Sequence, residues 1–571
     1  MTPDAPRLVH LSLASQESII SSLAKTATTV EQLRRFTIAF LKRSLSQSTG
    51  TESEPRLYFK RAVTTRTCEA FADAVDRTVR GLDSWCAARE EAMCRAYSGV
   101  DEEPLVISLL STEKAIRDEF ETSLEVLLEV VRTVFEVQFS DDFASFFDRG
   151  SIRRPPATLT ALLLDTLFIG VQQHMERRDT VTSDALMHVF VQTAEPVWSM
   201  VGIWLRDGMG SGLSVGSGSS GMAGELDDEF FIESSGVGVG MMALGLLDPE
   251  FWNEGYVLRE GVTPMGDSVS GFAPRGKAIP FFLEHVAELV LSTGKAVGLI
   301  RALGGPSSAN GFKNWSSFAD LVSSETHDSD GVEQKSAGLF SVSIDTLSRL
   351  IYDGLLPHCQ VTGALLVRLL VDDCQLLWHM EAIEGFFLMR KGDAMSHFTD
   401  LLFTKVSIIL LFTWSRFHLL SKMDNIQQFW ADFHFLNTLF NDVIEANLSA
   451  DGKEWLNPSL VRLSYRGSRE KDRSIKRTVK AINGLLVEYA IPFPLTYIFQ
   501  PTTIQDYCDI FVFLLQVRRA KSVLERILVR GENGRKRLKE EPKALYAMRS
   551  RLSWFIKYVI FHEATSRKTD W

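Results

Sequence analysis

Apolar positions recur at three- and four-residue spacing along most of the chain, the period of a helix that buries one face. Between residues 11 and 46 the stripe is Leu23, Val30, Leu33, Phe36, Ile38, Phe40 and Leu41, which predicts a helix pair, and SQSTGTESEP (46–55) follows as a polar turn. Phe71, Ala74, Val75, Val79, Leu82 and Trp85 share a face within 57–96. Within 105–139, Phe120, Leu124, Leu127, Val131 and Val134 form a stripe that Leu128 and Phe135 widen, so this helix meets more than one neighbour. The Gly and paired prolines of GSIRRPP (150–156) stop one helix and start another, and helices are expected at 158–176 and 183–205. No alternating run bounded by a hairpin signal occurs in this half.

Residues 305–337 are rich in Ser, Gly and Asp and poor in aliphatics, so they bury too little apolar surface to offset their ordering entropy. They are read as a flexible linker between an N-terminal helical half, 1–304, and a C-terminal one, 338–571. Helical patterning returns over 341–352, 358–389, 393–422, 425–448, 473–487, 501–530 and 541–562. The fold class is all-α: two successive helical-bundle halves, elongated, without the internal repeat of a regular solenoid.

Candidate chemistry concentrates between Trp198 and Gly304, and each piece has a plainer explanation. STGKA (292–296) holds a Gly-Lys pair, but Leu289 stands where a phosphate loop needs its first Gly and Ala296 where it needs Ser or Thr. The run from Gly208 to Gly224 lacks a flanking strand and reads as an insertion. Glu225, Asp227, Asp228 and Glu229 lack a nearby His and read as a solvated cluster at a helix start. His358, His379 and His397 are too far apart for a two-His metal helix, and no nucleophile motif is present. No catalytic, cofactor or metal site is expected.

Composition narrows the partners. The 571 residues are 45% hydrophobic and 23% charged, as in a folded protein, and the net charge of -11 disfavours nucleic acid. Two basic stretches, Arg462–Lys480 and Arg518–Lys539, read as solvated faces or as a surface for an acidic protein. Six cysteines without metal spacing suggest a reduced cytosolic or nuclear compartment. No signal peptide is seen, and the apolar runs Gly236–Leu247 and Val406–Trp414 are too short to span a bilayer, so membrane insertion is not expected.

The ordered aromatic blocks carry a resemblance. Trp204 and Gly208, then Asp228-Glu229-Phe230-Phe231-Ile232, then Trp252, Tyr256 and Arg259, then Pro280, Phe281, Leu283, Thr293, Gly294 and Lys295 stand in the order of the first region of the gamma-tubulin complex component (Spc97/Spc98) family. HMEAIEGFFLMRKGDAMSHFTDLLF, with Gly392 and Asp393 at its turn, resembles a second region. A third runs through Pro494, Leu495, Tyr507, Phe511, Phe513, Leu514 and Leu515 to basic residues.

The resemblance implies a non-enzymatic building block whose N-terminal half packs laterally on neighbouring components. Its C-terminal half would bind gamma-tubulin, templating microtubule nucleation at a cytoplasmic microtubule-organising centre such as a spindle pole. Arg390, Lys391, Asp393, His397, Arg518, Arg519 and Lys521 would be the gamma-tubulin contacts, and Trp204, Phe230, Phe231, Trp252, Tyr256, Pro280 and Phe281 packing anchors. Insertions after Gly208 and at 260–276 lean toward a component 4, 5 or 6 type, component 5 first. The chain stops at Trp571, where family members continue, so the C-terminal bundle is expected to be incomplete. Two other readings compete: a helical tethering scaffold of vesicle trafficking, and a nucleotide-dependent enzyme using Lys295.

Overall fold

The computed structural model describes residues 11–48, 65–98, 108–135, 155–209, 228–235, 252, 254–260, 278–304, 315–323, 344–415, 433–446, 455–465, 482, 485–529 and 541–566. The chain divides into two compact units, Met1–Leu366 and Val367–Trp571.

The first unit opens with α1 (Leu13–Ser48) and α2 (Arg66–Tyr97), then α3 (Leu109–Ile116), a π turn at Arg117–Glu121, and α4 (Thr122–Phe135). Thr65 sits in extended conformation before α2 and accepts a hydrogen bond from the Cys68 amide, which fixes where the helix begins. Phe36 and Phe40 of α1 meet Phe135 of α4, and Phe36 also meets Phe71 of α2; all four rings are fully buried. The stripes read from the sequence thus converge on one aromatic core.

Two central helices follow. Pro155 precedes α5 (Pro156–Glu176), whose first residue loses nothing by lacking an amide donor. Asp179 caps α6 (Thr180–Asp207) through the Thr182 amide, and Gly208, at φ 63, ends it. Beyond lie β1 (Ile232–Ser234) and β2 (Tyr256–Leu258), antiparallel with Ile232 opposite Leu258. A 3₁₀ turn at Phe281–Val286 leads into α7 (Ala287–Ala302).

The expected 305–337 linker differs from the structure. Within it, α8 (Phe318–Ser323) buries Phe318 and Val322, and Trp315 stacks on Trp198 with ring centres 4.8 Å apart. The apolar residues are few but large, and three aromatic rings receive Phe318: Phe190 and Trp198 of α6 and Phe282 of the 3₁₀ turn. The first unit then continues into α9 (Ile344–Arg368), where Leu347, Ile351 and Leu355 are buried. The boundary between units therefore falls near residue 366, well past the expected one.

In the second unit a π turn at Leu369–Asp373 and Gln375, left-handed at φ 53, separate α9 from α10 (Leu376–Phe387). The expected single helix over 358–389 is broken there, with no Gly or Pro to announce it. Then come α11 (Gly392–Ser415), α12 (Phe433–Ala446), β3 (Val461–Tyr465), β4 (Leu485–Tyr489), α13 (Pro501–Val529) and α14 (Glu541–Ser566). Phe386, Phe387, Phe398, Phe440 and Phe511 centre its core.

The helix expected over 473–487 is corrected at its end. Leu485, Val487 and Tyr489 are buried while Leu486 and Glu488 turn outward, a two-residue period, and the strand pairs antiparallel with β3. Residues 466–481 lie outside the described residues, as do most of the Gly/Ser insertion and the 261–276 loop. Small sheets aside, the fold is all-α. Among the described residues one helical stretch, Asp345–Asp373, has the length and composition to cross a bilayer. It holds no long unbroken apolar run, because Asp353, His358 and Arg368 interrupt it.

Candidate functional site

The aromatic blocks of the first unit form a packed joint. Trp204, near the end of α6, donates from Nε1 to the Val290 carbonyl of α7 at 2.9 Å. Its indole lies on Gly294, where an added Cβ would come within 2.1 Å of Nε1. One turn further, a Cβ on Gly298 would meet the Met209 carbonyl oxygen at 2.6 Å. The Met209 amide donates to the Gly294 carbonyl, and Arg301 returns a bond to the Met209 carbonyl. The Gly-Lys pair of STGKA is thus half of a notch in α7 that receives the end of α6. Burial lowers the pKa of Lys295, with Glu288 pulling the other way.

Phe230, Phe231, Trp252 and Pro280 are buried, and Tyr256 is half-buried against the Trp204 ring. Phe281 is the exception at 40% exposed: its neighbour Phe282 carries the ring that packs on Phe190 and Phe318. Phe281 contributes its amide, which donates to the Asp165 carboxylate at 2.7 Å.

Glu229 corrects the reading of a solvated acid cluster. Glu225 and Asp227 lie outside the described residues, but the Glu229 side chain is buried at the start of α2. It accepts from the amides of Arg66 and Thr67, both at 2.8 Å, and from the Thr160 hydroxyl at 3.0 Å. With Thr65 serving Cys68, the first amides of α2 are satisfied by acceptors whose own residues are buried. Glu195 does the same for α8: its carboxylate accepts from the Phe318 amide at 2.8 Å, while burial raises its pKa. Spacing rules could not reveal these carboxylates, because donor and acceptor stand more than a hundred residues apart.

The second unit presents the charged turn between α10 and α11. Met389 there is left-handed at φ 54 and buried, which swings Arg390 and Lys391 outward. Arg390 pairs with Glu384, and Lys391 with Glu381 at 2.8 Å. Asp393 and His397 are exposed on the first turns of α11. Arg518 of α13 reaches the same helix, donating from Nη1 to the Ser396 hydroxyl at 3.1 Å. Burial lowers its pKa, with Asp400 acting in the opposite direction. Lys521 is exposed, but Arg519 is only 8% exposed and is not part of the open surface. Of the two basic stretches, Arg462 is exposed; most of the others lie outside the described residues.

Behind this surface, His379 Nδ1 and the Tyr489 hydroxyl are 2.7 Å apart and buried, joining α10 to β4. Burial lowers the His379 pKa and pushes the Tyr489 phenol up to about 12. The folded unit therefore binds the His379 proton less readily than the unfolded chain does. Stability from this group is fully present above the ordinary imidazole value of about 6.5 and is lost as pH falls from there toward the depressed value. Unfolding the second unit at pH 7.5 and 5.5 is expected to show that loss, with a flatter pH profile in His379→Gln. Tyr489→Phe is expected to cost about 1 kcal/mol, the net worth of one buried hydrogen bond.

Two helical units, closed by buried aromatic joints and long-range helix caps, define an all-helical protein ordered by packing. The family model described as gamma tubulin complex component N-terminal matches residues 2–371, and that described as gamma tubulin complex component C-terminal matches residues 376–562. The chain belongs to the gamma-tubulin complex component family. The two matches meet within a few residues of the π turn and of the division between units. Gamma-tubulin complex component 5 of Mus musculus is 25% identical over 198 residues, 34% of this chain and 17% of that protein. Its counterpart from Macaca fascicularis is 25% identical over 196 residues, 34% of this chain and 23% of that protein. The aligned part thus spans under a quarter of either relative. Both are of the type toward which the two insertions lean.

Proposed function

We propose that the chain is a non-enzymatic building block of a gamma-tubulin-containing assembly, the first unit packing laterally on neighbouring components and the second binding gamma-tubulin. Such an array would template microtubule nucleation at a cytoplasmic, cytoskeletal microtubule-organising centre. The observation that carries this reading is the pair of consecutive family matches, one over each unit. No specific observation favours a trafficking tether. The Lys295 enzyme loses its basis because Gly294 serves helix packing.

For the gamma-tubulin contact, the charged turn is the surface that supports the reading: Arg390, Lys391, Asp393 and His397, flanked by Arg518 and Lys521. Such charges orient a partner more than they supply affinity. Their own ion pairs are exposed and contribute little to folding, so reversing them leaves the unit intact. Purified chain carrying R390E, K391E and K521E is expected to retain at least about tenfold less gamma-tubulin, since each lost tenfold is only about 1.4 kcal/mol. Capture of neighbouring components should be unchanged. Undiminished gamma-tubulin capture by the triple variant would remove this surface from the proposal, and no capture by the wild-type chain would remove the partner.

A further inference from the structure

A cleft of about 780 Å³ opens inside the first unit between α1, α4 and the last turn of α5. Two clasps hold its long walls together. At one end Phe36 of α1 meets Phe135 of α4, ring centres 5.2 Å apart; at the other, Lys25 of α1 pairs with Glu121 at 3.5 Å and with Glu125. Glu121 closes the π turn of Arg117–Glu121, a distortion that inside α-helices is frequent at functional sites. About 16 Å of α1 separate Lys25 from Phe36. Along that length Thr28 and Thr29 of α1 and Thr122 of α4 line the cleft, and their short side chains leave it open.

The lining says what would fill it. Val126 and Leu128 are its apolar members and no Phe, Tyr or Trp is among them, so neither a lipid tail nor a stacked nucleobase finds a surface there. Thr28 and Thr29 donate their hydroxyl hydrogens to the Ala24 and Lys25 carbonyls of their own helix, which leaves both oxygens to accept. With the Gln32 amide oxygen and the Glu129 carboxylate they make acceptors on two walls, a set that calls for a ligand dense in O–H donors. A free amino acid gathers its donors on one nitrogen and leaves most of these acceptors unmet. Lys25, Arg132 and Arg177 set against Glu125 and Glu129 give the lining a single net positive charge, the wrong sign for a polyamine and too little for a polyphosphate. Among the described residues the Arg177 guanidinium and the Gln32 amide have no partner.

We propose that this cleft binds a hydroxyl-rich ring carrying one phosphate, the phosphate on Arg177 and Arg132, whose planar forks match its oxygens, and the ring hydroxyls on Thr28, Thr29, Gln32 and Glu129. That chemistry is shared by free sugar or cyclitol phosphates and by the headgroup of phosphatidylinositol. The cleft belongs to the first unit, and the proposal stands whether or not the second unit holds gamma-tubulin.

The test is calorimetric titration of the full chain with inositol 1-phosphate and with glucose 6-phosphate. Saturable binding of at least one is expected, weakened at least about tenfold by Arg177→Ala, since a charge-assisted hydrogen bond is lost, and weakened also by Gln32→Ala. Neither side chain has a partner to give up, so both variants should unfold at the wild-type temperature, which separates lost binding from lost fold. Inositol and inorganic phosphate, each carrying half of the chemistry, should bind at least about tenfold more weakly than the phosphorylated ring. Retention on phosphatidylinositol vesicles that excess inositol 1-phosphate releases assigns the lipid source; binding of the soluble probes without retention assigns the free one. The proposal is overturned by no saturable binding of either probe, by equal affinity for the Arg177→Ala chain, by inorganic phosphate binding as tightly as the probes, or by displacement of a probe by free glutamate.

Discussion

Replacing Glu229 by alanine is expected to destabilise the first unit by about 3 kcal/mol or more, among the largest effects of any single change in the chain. The carboxylate receives two backbone amides and a hydroxyl. Hydrogen bonds to a charged group are worth about 1.5–3 kcal/mol each, and donors left buried without a partner add their own desolvation cost. Glu229→Gln keeps an acceptor of similar size while losing the charge, and should fall between wild type and alanine. Thermal unfolding of the first unit measures the total. Amide exchange at Arg66 and Thr67 separates a lost cap from a general loosening, because only the cap exposes those two amides ahead of the rest of α2.

The second large effect is expected at Gly294. A methyl group there would stand 2.1 Å from the Trp204 indole nitrogen, and the indole cannot retreat without giving up its bond to Val290. Gly294→Ala should therefore cost about 3 kcal/mol, the upper range for overpacking a tight contact. At Gly363, inside α9, an added Cβ would meet nothing within 4 Å. Gly363→Ala is expected to leave stability unchanged or raise it by up to about 1 kcal/mol, through helix propensity alone. Comparing the two by chemical denaturation distinguishes a packing glycine from an incidental one; equal effects would contradict the notch.

The helices were legible because their burial is one-sided. Leu124, Leu127, Val131 and Val134 repeat often enough for the period to emerge, and all four are buried. Features built from distant parts left weaker traces. Three-residue strands such as β1 are too short to show a period. Phe281 and Phe282 are identical in composition and adjacent, so only tertiary contact decides which ring turns inward. Trp315 and Phe318 sit among serines and glycines, where average polarity hides two large anchors. Arg390, Lys391, Asp393 and His397 gather at one corner because they are near neighbours in sequence, whereas the helical face that buries Arg519 depends on what packs against α13.

The remote caps bear on the order in which the first unit can be completed. Helical proteins usually draw on contacts between near neighbours in sequence, and that is why many assemble quickly. Here the amides of Arg66, Phe281 and Phe318 find their carboxylates 163, 116 and 123 residues away. On a ribosome, which releases the chain from its N-terminal end, α2 emerges long before Glu229 exists to receive it. The start of that helix remains an open end until the middle of the unit has been made.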